Sequence, residues 1–89
     1  MESKELREQL IELHKALEDA SHKAPEGNEM LSRVMTDIVR IASGDDIGPD
    51  ESDDLHHRLQ HQVSDFEVRH PRLAGILREV TDILAKLGI

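Results

Sequence analysis

Apolar residues recur along this chain at helical spacing in four blocks, and a polar stretch ends each of the first three. In the first block Leu6, Leu10, Leu13, Leu17 and Ala20 alternate steps of four and three, a heptad seam with Ile11 lying outside it. Ser3 stands where an N-cap is wanted, so the pattern predicts a helix over 3–21 that needs a partner. The polar run Ser21 to Gly27, with Pro25 inside it, marks a loop. Asn28 then caps a second helix, predicted over 28–43 and ending at Gly44. This is the most apolar block: Met30, Leu31, Val34, Met35, Ile38, Val39, Ile41 and Ala42 spread over about half of its circumference. A face that wide exceeds what one neighbour can cover. The expectation is therefore a helix between two elements, with Met30, Val34, Val39 and Ile41 meeting another copy of the chain.

The third block, predicted over 50–68, has the narrowest stripe: Leu55, Leu59, Val63 and Phe66, with Gln62 inside it. Asp50, Glu51, Asp53 and Asp54 fall in or next to its first turn, where carboxylates favour the positive end of the helix dipole. His70-Pro71 divides it from the fourth, because proline pushes the preceding residue out of the helical region and itself suits the first helical position. Leu73, Leu77, Val80, Leu84 and Leu87, flanked by Ile76 and Ile83, give a helix over 71–87 with one buried face. Gly88 sits where a left-handed cap is wanted, and Ile89 is placed to touch Leu84. Gly75, on the polar side, should cost roughly 1 kcal/mol against alanine. The fold class expected is all-α: one domain of four helices in two antiparallel pairs, the last two as a hairpin, completed by homodimerisation.

Composition narrows the function. With 89 residues, one aromatic side chain (Phe66) and no cysteine, the core must be aliphatic and thiol chemistry is absent, as suits a reducing cytoplasm. Nineteen acidic against eleven basic residues leave a net charge of −8, and the basic ones are scattered singly. Such a surface repels phosphate backbones and anionic lipid, so neither nucleic acid nor a membrane is the expected partner. The charged amino terminus leads into no apolar run, and no stretch approaches the ~20 apolar residues of a membrane span.

The sharpest candidate chemistry is a column on the third helix. Asp53, His57, His61 and Asp65 follow at steps of four, a spacing that lets His57 and His61 share one metal ion. Against a working site, the column lies away from Leu55, Leu59 and Phe66, and the His-Glu-x-x-His pattern is absent. The acidic run Asp45 to Asp54 lacks the spacing of a calcium loop, and Gly48-Pro49 stiffens it. His70 has no nucleophile beside it in the sequence and is read as ordering the corner at Pro71. A phosphate loop, a nucleophile elbow and a Cys/His pair are all absent. Leucine and methionine at helical spacing are read as core rather than as a cofactor or lipid channel.

One resemblance runs through nearly the whole chain. Phe66-Glu67-x-x-His70-Pro71-x-Leu73-Ala74, then Leu77, Asp82 and the ending Leu84-Ala85-Lys86-Leu87-Gly88-Ile89, resemble the tail of a family of short bacterial proteins known as a domain of unknown function, number 4404. Leu6, Leu10, Leu13, Leu31, Val34, Asp37 and Ile38 are similar to its weaker amino-terminal pattern. The resemblance implies a small intracellular helical protein and lends no catalytic or ligand residue. Together these readings point to a non-enzymatic protein–protein interaction or scaffold module without cofactor or small-molecule ligand. The alternative is a metal-binding or metal-bridged module built on His57 and His61.

Overall fold

The computed structural model describes residues 3–22, 28–45 and 47–89, with the side chains of Ser3, Asn28 and Met30 outside the description. Among these described residues four helices form: α1 (Ser3–Ser21), α2 (Asn28–Ala42), α3 (Pro49–Arg69) and α4 (Pro71–Lys86). Each boundary lies within a residue of its expectation, for the reasons of local chemistry already given. The caps expected from Ser3 and Asn28 fall outside the described side chains. Pro49 occupies the first turn of α3 and starts it one residue early.

His70 alone divides α3 from α4, at φ −137° and ψ 70°. Its N–H donates to the Phe66 carbonyl at 2.7 Å and its carbonyl accepts from the Ala74 N–H at 3.1 Å. The main chain of this one residue thus closes one helix and opens the next. Its ring stands edge-on to Phe66, with centroids 5.7 Å apart.

Two glycines end helices in the same way. At Gly44, with φ +91°, the Asp45 N–H reaches the Arg40 carbonyl and the Gly44 N–H reaches Ile41. At Gly88, with φ +82°, the Ile89 N–H reaches the Leu84 carbonyl and the Gly88 N–H reaches Ala85. Both are Schellman caps, and both need a residue tolerant of positive φ. Gly75 differs, because it lies inside α4 without a positive φ, and a Cβ built on it meets nothing within 4 Å. Gly75→Ala should therefore raise stability by about 0.5–1 kcal/mol, while Gly44→Ala should lower it by about 1 kcal/mol. Thermal melts of the two variants should shift in opposite directions, and a drop for Gly75→Ala would reveal a close contact that this chain alone does not make.

Packing closes the helices into a ring: α1 lies against α2 and α4, and α3 against α4 and α2, while the diagonal pairs stay apart. The core takes Leu6, Leu10 and Leu17 from α1, Leu31, Val34, Ile38 and Ile41 from α2, and Leu55, Leu59 and Phe66 from α3. From α4 it takes Leu73, Leu77, Val80 and Leu84, and Gln62 of α3 is buried among them. The radius of gyration, 12.1 Å, matches the ~12 Å of a closed globule of this length.

This closure corrects the expectation for α2. Val34 is 0% and Ile41 3% exposed within the single chain, because α1 covers one flank of α2 and α3 the other. They are core residues and are not available to a second copy. Of the four positions expected at such a contact, Val39 remains open at 45%, and the Met30 side chain lies outside the described residues. No helix among the described residues is long and apolar enough to cross a membrane.

Candidate functional site

His57 and His61 are both exposed on α3, and His61 Nε2 lies 3.4 Å from Asp65 Oδ2. Among the described residues no group of three or more His, Asp or Glu side chains is gathered as an ion would require. His56, next in sequence to His57, turns the other way. Its Nε2 lies 2.8 Å from the Ile89 main-chain oxygen, tying the start of α3 to the end of the chain. Periodicity alone does not reveal this contact, since it joins residues 33 apart.

Between α2 and α3 lies a charged cleft of about 500 Å³. Asp37 of α2 is at its centre, 3.3 Å from Arg58 and 3.6 Å from Arg40. Arg58 also contacts Asp54, and Arg40 reaches Glu51 at 3.1 Å. Asp37 and Arg58 are the most sheltered members, with 17% and 22% of their side chains exposed. The guanidinium groups of Arg40 and Arg58 are already paired with carboxylates of their own chain, so this part of the cleft, which Arg33 also lines, reads as the polar fastening of the α2–α3 junction.

The α1–α2 junction has a different character. A shallow groove of about 190 Å³ is lined by Ile11 and His14 of α1 and by Ile38, Val39 and Ala42 of α2, with Ser43 at its end. Ile11 and Val39, 44% and 45% exposed, stand across it from one another. Among the described residues they are, with Val68, the large apolar side chains left open, and here they share one surface. Ile11 was marked in the sequence by its place outside the α1 seam; that α2 would bring Val39 beside it depends on how the helices pack.

Among curated proteins and among solved structures nothing matches the chain. The likeness read along nearly the whole chain is met by the family model described as a domain of unknown function, DUF4404, which matches residues 6–89, nearly all of α1 and the whole of α2, α3 and α4, and the chain belongs to that family.

Proposed function

We propose that this protein is a non-enzymatic interaction module that associates reversibly with a second copy of itself. The observation that carries the reading is the apolar surface shared by Ile11 and Val39, left open by a chain whose core is otherwise closed. Isolated exposed aliphatics are ordinary; two of them flanking one apolar groove form a patch with a reason to be covered. Within each copy the reading takes α3 and α4 as an antiparallel hairpin. Supporting this, His56 in the first half of α3 meets Ile89, just past the end of α4, while Glu67 near the end of α3 meets Arg78 at the middle of α4, at 2.6 Å. The reading assigns the module to the reducing cytoplasm, in keeping with the absence of cysteine, and to protein partners rather than nucleic acid, in keeping with a net charge of −8.

Sedimentation across a dilution series tests this. The mass should rise reversibly from 10.1 kDa towards twice that value. A strict monomer at every concentration would overturn the reading.

A second reading, a metal-bridged module, draws on the contact of His61 with Asp65, since a carboxylate behind an imidazole orients it towards a metal. The two readings separate in one experiment. On the interaction reading, chelator, added zinc and the paired substitution His57→Ala with His61→Ala all leave the association unchanged. Association that appears with zinc and vanishes in the double variant would favour the metal-bridged module instead.

A further inference from the structure

The side of α1 turned away from the core carries a second seam. Lys4, Glu8, Ile11, Lys15 and Glu18 follow at steps of four, three, four and three, which places them in one narrow row. All five are exposed, and Ile11 lies at the centre. Among the described residues none of the four charges takes part in an ion pair. The charged pairs that the fold does use lie elsewhere, on α2, α3 and α4.

Read from either end, this row changes sign. In chain order it runs basic, acidic, apolar, basic, acidic; reversed, it runs acidic, basic, apolar, acidic, basic. We propose that this row is the self-docking surface, and that α1 of one copy packs antiparallel on α1 of a second about a two-fold axis through Ile11. Lys4 then comes opposite Glu18 of the second copy, and Glu8 opposite Lys15. Symmetry repeats both pairs, giving four oppositely charged contacts around two facing isoleucines. Val39 stands beside Ile11 across the groove and widens the apolar centre. A parallel alignment would set Lys4 on Lys4 and Glu8 on Glu8, so the charges select direction as well as partner. With so small an apolar centre, the contact forms a reversible dimer rather than an obligate one.

The inference rests on the self-association proposed above, and the experiment separates the two. Glu8→Lys and Lys15→Glu are made singly and together, with Ile11→Asp, and each full-length variant is examined by sedimentation after circular dichroism has shown that it folds. Each single reversal turns two attractive pairs repulsive and should weaken the dimer roughly tenfold. The double reversal restores it. So does an equimolar mixture of the two single variants, in which every pair is again opposite in sign, whereas each alone stays largely monomeric. Ile11→Asp should weaken association by about a hundredfold or more. A wild-type dimer that ignores the reversals and Ile11→Asp would overturn the assignment of this face while leaving self-association standing. Single reversals that weaken the dimer without rescue in the mixture would overturn the antiparallel register. A wild type that never dimerises would overturn both proposals.

Discussion

Replacing Ile41 by alanine should lower the stability of the dilute chain by about 2–4 kcal/mol, the range for truncating a buried isoleucine in a core that only partly relaxes. Ile41 is 3% exposed, and α2 is held between α1 and α3 of the same molecule. A domain of this length holds roughly 5–13 kcal/mol in total, so the loss is a large share of it. At ~4–8 °C per kcal/mol the melting temperature should fall by roughly 8–32 °C, whatever the protein concentration. Val39→Ala, two residues away on the opposite side of α2 and half exposed, should stay within about 0.5 kcal/mol in the same dilute sample. The contrast matters because both residues belong to one apolar block of the sequence. If Ile41→Ala left the dilute chain unchanged and weakened only the association, Ile41 would be an interface residue and the closed core would be wrong.

The second large effect is expected at the α2–α3 fastening. Asp37→Ala should cost about 1–2 kcal/mol, because it leaves Arg58, 22% exposed, and Arg40 without the carboxylate between them. Fully buried pairs cost more to break; water at this cleft reduces the loss. Glu51→Ala, which removes a partner that is 53% exposed, should cost less than about 0.5 kcal/mol. The difference between the two variants should narrow as salt is added, since screening weakens the wild-type network first. Denaturant titrations at low and high salt measure it. Equal costs for both variants would mean that the sheltered position of Asp37 has no energetic weight.

How much of this was legible in the sequence depends on whether the controlling interactions are local. Pro49, expected in the loop, in fact opens α3, but Pro71, Gly44 and Gly88 act on their own backbone and their nearest neighbours, so the helix boundaries they set could be read directly. The same holds for the seam Leu6, Leu10 and Leu17, all of which are buried. The wide face of α2 misled for a physical reason. Periodicity reports how much apolar surface a helix offers, but not whether the covering partner comes from its own chain. Here α1 and α3 both do so, and Val34 and Ile41 became core rather than contact. The pairs of Asp37 with Arg58 and of His56 with Ile89 link residues 21 and 33 apart, beyond any local spacing rule. Even so, the charges of α1 were in view from the start, and what they lacked was the knowledge of which side of α1 the fold leaves bare.

On the proposed reading each chain folds by itself and keeps the outer row of α1 for a second copy. Thermal melts over a dilution series, taken beside sedimentation of the same samples, test it most directly. As the dimer dissociates on dilution, the melting temperature should level off at a fixed value with the far-ultraviolet signal of four helices intact, because the core needs no partner. A melting temperature that keeps falling as the dimer is lost, with the helical signal lost alongside it, would show that the subunits fold only together and would contradict the account.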